Sequence, residues 1–209
     1  DFFKPYYEMV LGQEDDQICR NYADLSAEGL HYSAAFSGGD VAMMNMGSWF
    51  ISTMIANLQS GEYDSSLCGN WGMVKYPHAE GVEAGSTLGT ITGLSVTSVS
   101  EQKQAAFDFV AWVSGAEGAK VMAETGNFPA LMNDEVAGII SGLDGFPTDD
   151  ASKEALNVSN LYLEVPYAEN VSAINDILDT YHKSIMNREI SIDDGIAAMN
   201  EEVGKVLAQ

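Results

Sequence analysis

The stretch Gly38-Gly39-Asp40-Val41-Ala42-Met43-Met44-Asn45-Met46-Gly47-Ser48-Trp49-Phe50 constrains the fold more than any other. Two glycines open it, which is turn chemistry. Val41 to Met46 is short, apolar and bounded by glycines. It reads as a buried strand, although periodicity alone leaves helix open. Gly47 breaks the run, and Ser48 is a good helix N-cap. The apolar residues Phe50, Ile51, Met54, Ile55 and Leu58 then fall at helical spacing, and Gly61 stands where a C-terminal cap closes a helix. The unit is strand, tight glycine turn, helix. In open α/β folds, ligands sit beyond the carboxyl ends of strands, where helix N-termini offer free N–H groups. Trp49 stands at such a place. The competing reading makes Trp49 a core aromatic under the first helical turn.

Before this stretch, Phe3, Tyr6, Tyr7 and Val10 share a helical face that Gly12 is expected to end, and Asn21 to Gly29 forms a weaker helical piece. After it, residues 62–70 are polar loop. Trp71 to Pro77 reads as a short strand stopped by proline. Thr87 to Thr97 is β-branched and alternating, interrupted by Gly89 and Gly93. Glycine inside a strand marks either a plain bulge or the close approach of a ligand or another backbone. Ser98 with Glu101 makes a capping box ahead of an amphipathic helix carrying Ala106, Phe109, Val110 and Val113. Ala116 to Thr125 is a further helix closed by Gly126, and Asn127-Phe128-Pro129-Ala130 is an extended exit. Residues 131–150 hold a short helical piece and a glycine-containing loop, and 151–163 are weakly helical. Beyond Pro166 comes a long helix with the stripe Val171, Ile174, Leu178, Tyr181 and Ile185. Ser191 with Asp194 opens a last helix carrying Ile196, Met199, Val203 and Val206. The sum is helix-rich α/β, with too few strands for a complete doubly wound sheet.

A length of 209 residues and an apolar content of 46% support a substantial core. Nine basic against 31 acidic residues give a formal charge of −22, which argues against nucleic acid and against an anionic membrane surface. No apolar run reaches the roughly 18 residues of a membrane span. Asp1 is not a natural start, so a processed or truncated piece is expected. Cys19 and Cys68 have no metal-type spacing; either one disulfide or two separate thiols fits them.

Signals for catalysis are poor. His31, His78 and His182 are far apart, lack ligand-type companions and read as surface residues. No nucleophile elbow, zinc-protease motif or P-loop is present. Met43, Met44 and Met46 resemble a soft-metal cluster, but a strand would place Met44 and Met46 on one side and Met43 on the other, which favours core packing over copper. No catalytic residue, metal site or cofactor is expected.

The order of the motifs resembles that of extracellular solute-binding proteins of sugar ABC transporters, the family that includes maltose-binding protein. Phe36-x-x-Gly39-Asp40-Val41-Ala42-Met43 with Gly47-Ser48-Trp49 resembles its F-x-x-G-K-x-A-M … G-x-W signature, with Asp40 in place of the usual Lys. Trp71-Gly72-Met73-Val74-x-x-Pro77 and Leu88 to Val96 resemble two of its strands. Ala105-Ala106-Phe107-Asp108-Phe109-Val110-x-Trp112, Glu117-Gly118, Gly126 to Ala130 and the helix start at Ser191 follow in the family's order.

The resemblance implies a partial periplasmic-binding-protein-like type II lobe, helix-rich with a short mixed sheet. The whole of 1–209 would be the C-terminal lobe of a bilobal protein, and 71–112 the segment that returns toward an N-terminal lobe. It implies non-catalytic binding of a mono- or oligosaccharide between lobes and delivery to the permease subunits of an ABC importer. The setting would be extracellular: lipid-anchored at the cell surface, or periplasmic. A tryptophan of the G-x-W turn commonly stacks on a sugar ring in this family; here that is Trp49, with Gly47 and Ser48 of the same turn. Leu88, Gly89 and Thr90 match a ligand-contacting strand edge, and Tyr167 and Asn170 lie where the long helix supplies another contact. A lone lobe would bare surface meant for its companion, so a homodimer or an exchanged segment is expected. The alternatives are an interaction or adhesion module reusing the lobe, a receptor for a non-sugar solute, and a hydrolase using scattered carboxylates.

Overall fold

The computed structural model describes residues 3–165 and 167–208; Pro166, expected ahead of the long helix, and Asp1 lie outside the described residues. In chain order the elements are α1 (Phe3–Asp15), α2 (Tyr22–Glu28), α3 (Tyr32–Ser37), α4 (Trp49–Ser60), α5 (Ser65–Cys68), β1 (Ser86–Gly89), α6 (Lys103–Val113), α7 (Ala116–Glu124), α8 (Asp134–Ser141), α9 (Asp150–Glu154), β2 (Asn160–Leu163), α10 (Val171–Met186) and α11 (Ile192–Leu207). The fold is a helix-rich α/β lobe. Its contacts divide into two units, one of Asp1–Tyr32 with Val165–Gln209 and one of Ser33–Glu164. Among the described residues no helix is long and apolar enough to cross a membrane.

The first unit is built on the α10–α11 hairpin. Ser191 caps α11 through its side chain, which accepts the Asp194 N–H at 3.1 Å, one half of the expected capping box, and donates to the Asp194 carboxylate at 2.7 Å. The C-terminal part of the expected stripe of α10 is covered: Ile185 is buried, and Leu178 and Tyr181 pack beside it on Tyr7, Leu11, Met186, Ile196 and Met199, while Val171 and Ile174 are half-buried outside this cluster. Gly195 lets α11 approach closely, because a Cβ there would stand 2.5 Å from the end of Ile185. Helix α1 runs through Gly12 instead of ending there, since Leu11 is buried in this core and a mid-helix glycine costs only about 1 kcal/mol. Arg188, at the hairpin turn with φ +58°, donates to the Leu11 carbonyl at 3.2 Å and pairs with Asp15 at 2.7 Å. His182 is not a surface residue: it is half-buried, and its Nδ1 lies 3.0 Å from the Tyr7 hydroxyl.

In the second unit α4 serves two apolar clusters. Ile51 and Ile55 join Ala119, Ala123, Val136, Ile140, Phe146 and Leu156, whereas Phe50 and Met54 join Cys68, with Met44 and Met46 packed against them. The thiols are free, Cys68 buried and Cys19 exposed.

The expected strands are mostly absent. Val41–Met46 and Trp71–Pro77 keep the alternation of a strand, with Met43 and Val74 exposed while Met44, Met46, Trp71 and Met73 pack inward. Neither segment has a ladder partner among the described residues, and a strand is defined by its pairing. The Met73 N–H is instead donated to the fully buried Ser152 Oγ at 2.8 Å, and that hydroxyl reaches Asp149 at 2.7 Å. Of Thr87–Thr97 only the first residues pair, in the sheet β1–β2. It is parallel, with Ser86 opposite Asn160 and Gly89 opposite Leu163, so the expected short mixed sheet is represented by a parallel pair. β2 occupies a region read as weakly helical. Helix α6 starts at Lys103 with Gln102 at its cap, because the Ser100 hydroxyl accepts the Gln102 N–H; the box from Ser98 to Glu101 does not form.

Candidate ligand-binding site

The Gly47–Trp49 turn shows how a polar surface comes to carry a large apolar ring. Phe50, next in sequence, takes the core position at 7% exposure, which leaves Trp49 at 47%. The indole folds back over Gly47: a Cβ on that glycine would lie 2.0 Å from ring atom Cζ3. Only glycine leaves room for the ring in this position. Trp49 is therefore an exposed ring backed by Gly47 and not a core side chain. Ser48 sits at the N-cap position, but its backbone is already helical (φ −59°, ψ −21°) and its side chain makes no capping bond. Capping geometry needs an extended residue there.

Polar groups cluster one turn on. Ser52 and Thr53 lie at i+3 and i+4 from Trp49, hence on the same helix face. The Ser52 hydroxyl stands 3.0 Å from the Trp49 carbonyl and 3.2 Å from Asn127 Oδ1. Asn127 Nδ2 donates to Thr125 Oγ1 at 2.9 Å, and that hydroxyl donates to the Met122 carbonyl at 2.6 Å. The loop after α7 can come this close because Gly126 takes φ +76°, with its Cβ position 3.2 Å from the Ser52 Cα. The sequence carries one signal for this juxtaposition, the closing glycine before Asn127-Phe128-Pro129; nothing in it pairs that loop with Ser52.

The other expected site residues are distributed. Leu88 and Gly89 belong to β1, where Leu88 is exposed and Gly89 is tight against the Leu161 side chain, with a Cβ position 2.6 Å from Cδ1. The close approach at Gly89 is thus a cross-strand one, and Gly93 has open space around it. Thr90 follows the strand and is exposed. Tyr167 and Asn170 belong to the other unit; Tyr167 is fully exposed, and Asn170 stands at the N-cap of α10 without a side-chain cap bond.

The perturbed carboxylates serve structure. Hydrogen bonds from Ser66 hold the Asp64 carboxyl below its ordinary range, and those from Ser152 do the same for Asp149. Burial pushes the Cys68 thiol up. A hollow of about 260 Å3 in the first unit is lined by Tyr7, Leu178 and His182, and the polar atoms of Tyr7 and His182 already bond each other. Among the described residues no group of three His, Cys, Asp or Glu is placed to hold a metal ion.

Comparison with known proteins agrees with this architecture. The family described as bacterial extracellular solute-binding protein matches residues 11–155. The crystal structure of a sugar transporter protein from Rhizobium etli, in an open conformation, superposes with a TM-score of 0.86 at 45% identity, covering 97% of this chain and 51% of that one. The chain thus spans about half the length of that relative. No curated protein matches it. The match across residues 11–155, together with that superposition, places this chain in the bacterial extracellular solute-binding protein family.

Proposed function

We propose that the chain provides one wall of a carbohydrate-binding cleft in a non-catalytic receptor that hands its ligand to an ABC importer. The observation that carries this reading is the half-exposed indole of Trp49 held over Gly47. A flat aromatic face suits the apolar face of a pyranose, and covering it contributes roughly 1.5–3 kcal/mol. Ser48 and Gly47 form the turn that aims it. Leu88, Gly89 and Thr90, and Tyr167 and Asn170, are proposed as further contacts. The printed description of the Rhizobium etli relative as a sugar transporter supports the ligand class. The chain corresponds to a C-terminal lobe in this reading, with 71–112 returning toward an N-terminal lobe. Exposed Leu88, Ile91, Leu94, Phe107, Phe109 and Trp112 along that segment support the assignment. The receptor works outside the cytoplasm, lipid-anchored at the surface or periplasmic, with permease subunits as partners.

A second reading, an interaction module, draws on the same exposed face, where Phe109 and Trp112 stack with ring centroids 6.4 Å apart. Calorimetry and thermal shift against a panel of mono- and oligosaccharides separate the two. The receptor reading expects a sugar that stabilises the protein and fails to do so with Trp49→Ala. Indifference to every sugar, with Trp49→Ala changing only the melting temperature, favours the interaction module.

A further inference from the structure

We infer that Asp144–Gly145 is a site of spontaneous covalent modification, where the aspartyl bond isomerises through a succinimide, and that Gln59 of α4 is the residue that restrains it. The chain holds two Asp-Gly pairs, Asp144–Gly145 and Asp194–Gly195. Glycine suits this reaction, since it has no Cβ to hinder its nitrogen. The two pairs stand in opposite settings. Gly195 lies inside α11: its N–H donates to the Ser191 carbonyl at 2.9 Å, and the Asp194 carboxylate accepts the Ser191 hydroxyl at 2.7 Å. Nitrogen and carboxylate are both engaged, and helical hydrogen bonding fixes the peptide between them. Asp144 and Gly145 are exposed and form the corners of a turn, closed by the Phe146 N–H on the Leu143 carbonyl at 3.0 Å. Among the described residues the Gly145 N–H donates to no protein group.

The reaction needs no partner but water. The Gly145 nitrogen attacks Cγ of the Asp144 carboxyl in its neutral form. The C–OH bond breaks, the hydroxyl leaves as water with the proton from nitrogen, and a succinimide ring forms. Water then opens the ring at one of its carbonyls. Addition at Cγ breaks the new N–Cγ bond and restores aspartate. Addition at the main-chain carbonyl breaks the original C–N bond and leaves the chain running through the side chain, as isoaspartate. One water is lost and one is taken up, and nothing is oxidised. Gly145 has φ +90°, which with the closing hydrogen bond makes the turn type II. In such a turn the central peptide stands with its nitrogen turned away from the preceding side chain, so ring closure needs this peptide to rotate. Gln59 opposes that rotation, because its Nε2 donates to the Asp144 carbonyl at 2.9 Å. The isoaspartyl product lengthens the main chain by one methylene, two residues before Phe146. That ring is 5% exposed and shares a core cluster with Ile51 and Ile55 of α4. The product therefore disturbs the core beneath the helix that Trp49 opens.

The test incubates the intact chain at neutral pH below its melting temperature and follows it by peptide mapping. The succinimide is lighter by one water, and the isoaspartyl peptide separates from its parent at equal mass. The expected result is conversion at Asp144 with Asp194 unchanged, and conversion at both when the incubation is done in denaturant. Gln59→Leu, a change at an exposed position whose melting curve controls for folding, removes one hydrogen bond from the closed turn. It should raise the rate at Asp144 about two- to tenfold and leave Asp194 as it was. The purified isoaspartyl form should melt lower than its parent. No conversion at Asp144 in the folded chain, or equal conversion at Asp194, overturns the site. An unchanged rate in Gln59→Leu overturns the restraint by Gln59 and leaves the site standing. An isoaspartyl form that melts with its parent overturns the coupling to the core.

Discussion

Helices α10 and α6 carry the same kind of sequence and meet opposite fates. Each has apolar residues at helical spacing. On α10 the stripe ends in Ile185, 1% exposed, with α1 and α11 packed over it. On α6 no residue is fully buried: Ala106, Val110 and Val113 of the expected stripe are half-buried, while Phe109 of that stripe and its neighbours Phe107 and Trp112 stand between 47% and 60% exposed. An amphipathic pattern states which face needs cover. It does not state whether the covering element belongs to the same stretch of chain.

The largest effect should come from removing what α10 buries. Ile185→Ala is expected to destabilise the protein by about 2–5 kcal/mol, whereas Phe109→Ala should change it by about 0.5–1 kcal/mol. Urea unfolding of the two variants, read as midpoint shifts, measures the contrast. Equal losses would mean that α6 is covered in solution.

Next is the contact that lets α11 approach α10. Gly195→Ala places a methyl within 2.5 Å of the Ile185 side chain and should cost about 1–3 kcal/mol. In an Ile185→Ala background the same change should cost less, because the two closest atoms are gone and only the Ile190 Cδ1 contact at 3.1 Å remains tight. A double-mutant cycle without that coupling would locate the strain elsewhere.

The exposed aromatic residues of α6 give a smaller, concentration-dependent effect. Phe107→Ser with Trp112→Ser should reduce self-association measured by light scattering at high concentration, with little change in the melting temperature. A wild-type chain that stays monomeric throughout would remove self-association as the fate of this surface.

The smallest effect is on pH. Burial holds the His182 imidazole below its ordinary value of 6.5, so the folded state takes up this proton later than the unfolded chain does. Between the two values the unfolded state binds more protons, and stability rises with pH. The contribution is complete above about pH 6.5 and is lost as pH falls through the depressed value. His182→Gln should flatten the change in stability between pH 7 and pH 5 relative to wild type, seen by thermal melting in parallel buffers.

Local rules read well where local chemistry decides. Ser191 with Asp194, Asn21 with Gly29, and Gly61 and Gly126 at helix ends all stand as their neighbours require. Alternation also survives in Val41–Met46 and Trp71–Pro77, but pairing is a non-local event, and those segments pair with no strand among the described residues. β2 escaped notice because four apolar and amide residues after a short helix carry no period of their own. Of the candidate site, Gly47 and Trp49 are legible as a turn and an aromatic. That the ring lies on the glycine, and that Phe50 relieves it of core duty, depends on how α4 is rolled. Ser52 with Asn127 is a tertiary pairing that no spacing encodes.

The parallel pair β1–β2 has a consequence for the order of folding. Ser86 and Asn160 face each other across 74 positions, and α6, α7, α8 and α9 all lie in the intervening loop. Closing so long a loop is entropically unfavourable until its contents have condensed. The α7–α8 packing, made between neighbours in sequence, should form early, and the two strands should meet late. The same four-residue ladder should then be among the first parts of its unit to open. In hydrogen exchange its amides should trade protons sooner than those of α7, and the sheet would be the last structure gained and an early one to go.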